Sequence, residues 1–431
     1  MHATPGATWE TTDAQWPAPL KKEAYYGLAG TIVSAIEPHT EADPVAILLQ
    51  LLVAVGNAAG RSPFFRAEAD QHHVNLFAIL VGQTAKGRKG SSWGHIRNLM
   101  AVADPKWNDQ CICHGLSSGE GLIWAVRDPV YRAANPCAHG PHAFRPDIPV
   151  DQGVEDKRLL VMEGEFVRPL RALERNGNTL SAVIREAWDS GQLQVLTKNS
   201  PAKATGAHIS IIGHVTQTDL LRYLSRTDTA NGFANRFLFA VVRRSKVLPE
   251  GGNVDPEEMA ALQRRLEECI AFAKTVTEMR RDADAKSLWY EVYPELSMDR
   301  PGLLGLVTSR AEAQVMRLAC CYALLDRSPL IRVEHLSSAL ACWQYCYESC
   351  RVIFGNSVGD PVADQILEAV QRHPEGVSRT DLRDLFQRNV SSQKISQAIE
   401  LLRSCHLVRV ESYPTGGRAV QRVLAASPQP R

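Results

Sequence analysis

No apolar run in this chain is long enough to cross a bilayer. The longest, Val45 to Ala59, is interrupted by Gln50 and Asn57 and falls short of the roughly 20 residues a span requires. It reads instead as a core helix, capped by Asp43 with Pro44 in its first turn. Neither sign of charge prevails. The 48 basic and 47 acidic side chains leave a net charge of +1, so no whole-molecule field draws in nucleic acid, and any such binding has to come from a local patch. The ten cysteines lack a disulfide-framework spacing, and the first residues lack the charged-then-apolar layout of a secretory signal. Both absences point to a reducing, cytoplasmic setting.

What is present suits an ordinary globular protein. At 431 residues, 45% apolar and 22% charged, the chain can bury a sizeable core and divides into two or three domains. Residues 1–22, rich in Thr, Pro and Ala, form an N-terminal arm, and residues 23–74 form a helical segment with helices over Tyr25 to Ile36 and Pro44 to Ala58. Short apolar runs at Asn75 to Val81, Arg158 to Met162, His208 to Gly213 and Phe237 to Val242 predict buried strands. Helical segments separate them, which predicts an α/β fold with a parallel sheet over residues 75–250. Asp255 to Asp282 and Val307 to Phe354 read as helices of an all-α layer, residues 251–355. After a linker, residues 360–425 read as three helices (Val362 to Arg372, Ser378 to Phe386, Ser391 to Ser404) and two strands around "YPTGGR", the pattern of a winged helix.

The first strand leads into "GQTAKGRKGSS", residues 82–92. A phosphate cradle needs backbone amides from a glycine-rich turn, a helix N-terminus and one lysine. Gly82, Gly87 and Gly90 supply the turn, Lys89 the charge, and Ser91 or Ser92 a hydroxyl for Mg²⁺, although Arg88 and Gly90 break the strict spacing of such loops. A basic surface turn is the competing reading. An ATP-hydrolysing site also needs acids at the end of a neighbouring strand. "RLLVMEGEF" supplies Glu163, assigned to the metal, and Glu165, assigned to the attacking water, with the reverse assignment open. "HISIIGHVT" ends in His214 and Thr216, polar groups placed to sense a terminal phosphate if this strand lies between the other two. "TANGFANRFLF" presents Arg236 as an arginine finger directed at a neighbouring subunit, with Arg222, Arg226, Arg243 and Arg244 as rivals.

With these pieces in order, the chain resembles a group of P-loop ATPases of bacteria, plasmids and phages, known as a domain of unknown function and often met near primase-polymerase modules. The resemblance rests on "GQTAKGRKGSS", "GLSSGEGLI", "LLVMEGEF", "HISIIGHVT" and "NGFANRFLF", which span roughly residues 75–245. Residues 308–343 are similar to the lid of minichromosome maintenance helicases. That likeness implies Arg310 as a second nucleotide sensor, with Arg317 as runner-up, and a C-terminal winged helix. The implied whole is a P-loop NTPase core of AAA+ or RecA-like type with a helical lid and winged helix, binding ATP and Mg²⁺ through Gly82, Gly87, Arg88, Lys89, Gly90, Ser91, Ser92 and Thr216. It is expected to act on DNA as a helicase-like homo-hexamer, with a primase-polymerase as a further partner and no membrane. A weakly catalytic scaffold that recruits a primase or defence effector to DNA, and a DNA-binding regulator, are the alternative readings. Two departures stand out: Gly164 separates the acids, and no large N-terminal DNA-binding domain is evident.

The C-terminal segment carries the patch that the global charge conceals. Between Arg379 and Arg422 there are eight basic and four acidic side chains. In a winged helix the third helix enters the major groove, which places Ser391, Ser392, Gln393 and Lys394 at base edges and Arg418 at phosphate. Protein contact is the competing use. Cys111, Cys113, His114, Cys137, His139 and His142 form a possible zinc cluster, but the C-x-C spacing is tighter than most structural zinc sites and favours ordinary thiols. Cys342, Cys346 and Cys350 recur at helical spacing and read as core.

Overall fold

The computed structural model describes residues 16–82, 87–132, 148–175, 177–196, 202–224, 229, 231–300, 302–355, 358–405, 407–414 and 420–426. Its centre is a five-stranded sheet. Numbered in chain order, its strands are β1 (Phe77–Gly82), β2 (Ile112–Cys113), β3 (Arg158–Glu163), β4 (His208–Thr216) and β5 (Phe237–Val241). Their spatial order is β5-β1-β4-β3-β2, and every neighbouring pair is parallel. The four strands expected from apolar runs are present. The fifth, β2, is two residues long and carries no periodic signal of its own.

Both faces of the sheet are covered, which is why its strands read as unbroken apolar runs rather than alternating ones. Ala78, Leu80, Leu160, Met162 and Ile212 face one cluster, and Phe77, Ile79, Val161 and Ile211 face the other. On the first face lie α1 (Gly27–Ile36), α2 (Pro44–Ala59) and α3 (Lys89–Ala103). The expected cap holds, with Asp43 accepting the Val45 N–H at 3.0 Å and Pro44 opening α2. The two polar residues inside the α2 apolar run both reach the sheet. Asn57 donates to the Leu159 and His208 carbonyls, both at 3.0 Å, and Gln50 accepts from His214 at 3.1 Å. Helix α2 therefore runs against the strand direction. On the second face, Phe166 covers Gly213 of β4 so closely that a Cβ there would meet the Phe166 Cδ2 at 2.5 Å.

Three expectations change. Residues 23–74 are not helical throughout: Phe64–Ala67 and Asp70–His73 form a hairpin in a second, four-stranded sheet with Glu278–Arg281 and Leu330–Ile331. The helix expected over Asp255 to Asp282 is Pro256–Thr275 followed by the Glu278–Arg281 strand. The one expected over Val307 to Phe354 divides into Gly302–Thr308, Ala311–Leu325 and Val333–Phe354, with a short strand between the last two. Pairing between distant segments decides these cases, and Arg281, stacked at 4.4 Å on Phe65 and 4.0 Å on Trp289, fastens the two ends. The helices Pro256–Thr275 and Ala311–Leu325 and most of Val333–Phe354 share a core with α1 to α3, whereas Leu303, Val307 and Phe354 join the cluster on the second face. Cys342, Cys346 and Cys350 are buried as expected.

The C-terminal segment has its own core, with Ile366, Leu382, Ile395, Ile399, Leu402 and Val423 at its centre. It consists of the helices Pro361–Arg372, Arg379–Leu385 and Ser392–Ser404 and an antiparallel sheet of Val377–Ser378, Val420–Ala425 and Val408–Tyr413. Among the described residues no helix is long and apolar enough to cross a membrane.

Burial of His208 and His214 in the neutral form predicts loss of stability in acid. Burial lowers His208 and His214 from 6.5 to about 3, so between those values the unfolded chain binds more protons than the folded one. Their stabilising contribution is complete above about pH 6.5 and is lost as the pH falls. The thermal unfolding midpoint is expected to drop steadily from pH 7 to pH 4.5; a midpoint that holds constant over this range contradicts the assignment.

Candidate functional site

The carboxyl edge of the sheet collects most of the chemistry. Ladder register sets Thr216 of β4 opposite Gly82 of β1, and Gly213 of β4 opposite Glu163 of β3. Strand β4 thus lies between the glycine-bearing and acid-bearing strands. Residues 83–86, the middle of the glycine-rich stretch, lie outside the described residues.

Helix α3 begins two residues earlier than its apolar spacing suggests, at Lys89. Arg88 precedes it in the left-handed region at φ 52°, ψ 24°, a conformation that costs a non-glycine residue about 1 kcal/mol or more. An ion pair holds it there: Arg88 Nε lies 2.6 Å from Glu41. Glu41 also accepts from Arg244 and from the Leu248 N–H at 2.8 Å. Arg244 above all holds the Glu41 carboxyl down at about 2. Arg88 is therefore occupied by the scaffold, and Lys89 carries the charge of the turn.

Lys89 is buried, and desolvation lowers its pKa. A Cβ at Gly87 would stand 3.7 Å from its Nζ, whereas one at Gly90 meets nothing within 4 Å. Ser91 is exposed beside them. Ser92 is fully buried and turned into the protein, accepting from Gln50 at 2.6 Å and donating to the Lys89 carbonyl at 2.7 Å. The two serines proposed as alternatives have thus separated, and only Ser91 faces outward.

Glu163 is buried at the end of β3 and accepts the Leu116 N–H at 2.6 Å. Glu165, assigned to the attacking water, faces solvent. Its side chain is 67% exposed and pairs at 3.0 Å with Arg168, one helical turn away. Thr216 caps the helix Gln217–Tyr223, accepting from the Asp219 N–H at 3.1 Å and donating to its carboxylate at 2.8 Å. His214 is buried behind it, pushed down to about 3 by desolvation and then by Lys89.

Arg236, Arg310 and Arg317 gather at the opposite edge, about 16 Å away along β1. Arg236 is turned inward, unlike a residue displayed on an open loop: its side chain is 6% exposed, and Nη2 donates to Asp189 at 2.5 Å. Arg310 reaches the same carboxylate at 3.4 Å. Arg317 is fully buried, stacks 3.5 Å from the Trp188 ring and donates to the Asn75 and Trp188 carbonyls, both at 2.8 Å. Burial lowers its pKa to about 9. Among the rivals, Arg243 stacks on Trp16, Arg222 on Tyr223, Arg244 pairs with Glu41, and Arg226 lies outside the described residues.

In the C-terminal segment Ser392, Gln393 and Lys394 are exposed on the first turn of their helix, whose cap Ser391 accepts from the Lys394 N–H at 3.3 Å. Ile395, Ala398, Ile399 and Leu402 bury the other face. Arg418 lies outside the described residues. Several of the basic residues here pair with local acids, Arg388 with Asp384 at 3.0 Å and Arg409 with Glu411 at 2.9 Å. Cys111 and Cys113 sit at β2 with thiols pushed up to about 12 and about 11 by burial. Among the described residues no three His, Cys, Asp or Glu side chains group to hold a metal ion. Cys137, His139 and His142, the other half of the zinc cluster, fall outside them.

Gln50, Glu41 and Asp189 went unassigned in the sequence. Gln50 alone left a signal, as a lone amide within an apolar helix. A cavity of about 740 Å³ lies elsewhere, lined by Leu288, Met298, Tyr347 and Leu401, and contains neither Lys89 nor Glu163. No family model matches this chain, and no curated protein matches it.

Since Thr216 is a cap, Thr216→Ala should destabilise the protein to urea by about 1 kcal/mol and leave ligand affinity within twofold. A tenfold affinity loss at unchanged stability would make it a ligand contact instead.

Proposed function

We propose that this chain is a P-loop ATPase with an AAA+-type core and a C-terminal winged helix, acting on DNA as a helicase-like replication protein of a plasmid or phage. The observation that carries the reading is the convergence of the α3 start with buried Lys89, buried Glu163 and the polar end of β4 at one carboxyl edge. Open parallel sheets bind ligands at that edge, and a helix start offers unpaired amides to phosphate. Burial disfavours the charge on Lys89, and a polyanion beside it favours that charge again.

The donor set fits ATP and Mg²⁺. Ser91 and Glu163 are hard oxygen ligands, and Glu163 keeps acceptor capacity beyond its bond to Leu116. When bound, Mg²⁺ neutralises charge on the phosphate oxygens. Lys89 would meet the outer phosphates, and Gly90 leaves the helix start open to them. Arg236 and Arg310 lie at the far edge, so they would reach the nucleotide of a neighbouring copy in a ring of six, once released from Asp189. The exposed turn Ser392 to Lys394 would meet DNA. A cytoplasmic setting, from the cysteine pattern, and a primase-polymerase partner, from the resemblance, complete the proposal.

The exposure of Glu165 favours a second reading, a scaffold that binds nucleotide and turns it over poorly. Steady-state hydrolysis with and without single-stranded DNA separates the two. The motor predicts DNA-stimulated turnover that falls on the order of a hundredfold in Lys89→Ala, whereas nucleotide bound without turnover supports the scaffold. No binding at all contradicts both.

A further inference from the structure

We infer that Gln50 is a positioning residue for the Gly87–Ser92 turn, linking it to β4 through a one-way chain of buried hydrogen bonds; the inference rests on the nucleotide reading above. The orientation of the chain follows from its ends. The Ala46 carbonyl can only accept, and Gln50 Nε2 lies 2.9 Å from it, so the amide nitrogen faces Ala46 and Ser92 and the amide oxygen faces His214. That oxygen accepts, so His214 carries its proton on Nε2, at 3.1 Å. Gln50 donates its other hydrogen to Ser92 Oγ at 2.6 Å, and Ser92 donates its only hydrogen to the Lys89 carbonyl at 2.7 Å.

Every donor in this chain points from β4 toward the turn. Gln50 and Ser92 are 0% exposed and His214 is 3% exposed, so water does not compete for these bonds. Head-to-tail bonds in a dry site polarise one another. A break anywhere leaves a buried polar group unsatisfied. The Lys89 carbonyl is where this chain of bonds reaches the turn, and His214 is where it reaches β4. Gln50 touches neither the open side of the turn nor the exposed Ser91, so it acts through Ser92 and not on a ligand.

The test measures MgATP affinity in the full chain for Gln50→Leu, Ser92→Ala and the double variant, alongside the imidazole nitrogen resonances of His214. Gln50→Leu and Ser92→Ala should each weaken MgATP about tenfold, and the double variant no further than the weaker single, because both cut one chain. MgATP should shift the His214 resonances in the wild type and leave them in place in Ser92→Ala. Ser92→Ala removes only a hydroxyl and keeps the test alive if the Gln50 variant does not fold. Wild-type affinity in both variants, additive losses in the double, or a His214 shift that persists in Ser92→Ala overturns the inference alone. A wild type that takes up no MgATP overturns the parent reading, and this one with it.

Discussion

The position of β4 governs this structure. Its hydrogen-bond ladders run to β1 on one side and β3 on the other, and because all these strands are parallel their carboxyl ends fall at one edge. Ladder register, not side-chain attraction, therefore brings the end of the glycine strand, the buried acid and the polar strand end together. Register in a sheet buried on both faces is strongly specified, since slippage by one residue exchanges the faces of every side chain. Gly213 gives that specification a local form: Phe166 packs where a side chain would be.

The helices preceding the sheet are part of the same device. Helix α2 buries an apolar face against β4, and both its amides reach the sheet, Asn57 at the amino end and Gln50 toward the carboxyl end. A buried unpaired amide costs about 1–3 kcal/mol, so these residues also fix the helix in one axial position. Glu41, just before α2, then holds Arg88 and with it the strained entry into α3. Residues 41–59 thus act on the turn from two directions.

Much of the sheet was legible in the sequence because burial on both faces produces apolar runs, and β1, β3, β4 and β5 each have one. The placement of Lys89 and Glu163 at one sheet edge was legible because a glycine-rich turn and an acid directly follow or end such runs. What escaped lacks local signal. Strand β2 is too short for periodicity, and the Phe64–His73 hairpin is a sheet only because Glu278–Arg281 pairs with it from far along the chain. Arg236 was read as a finger since its loop is rich in Asn and Gly; nothing nearby announces Asp189, whose carboxylate turns it inward. The exposure of Glu165 left no mark either, because apolar spacing cannot show which way a chain turns beyond Gly164.

The most direct test of the account is a crystal structure of the chain with Mg²⁺ and a non-hydrolysable ATP analogue. The account predicts phosphates lying along Gly87 to Ser91, with Lys89 Nζ on the outer phosphates and the cation beside Ser91 and Glu163. An analogue bound elsewhere, or absent at saturating concentration, would contradict it.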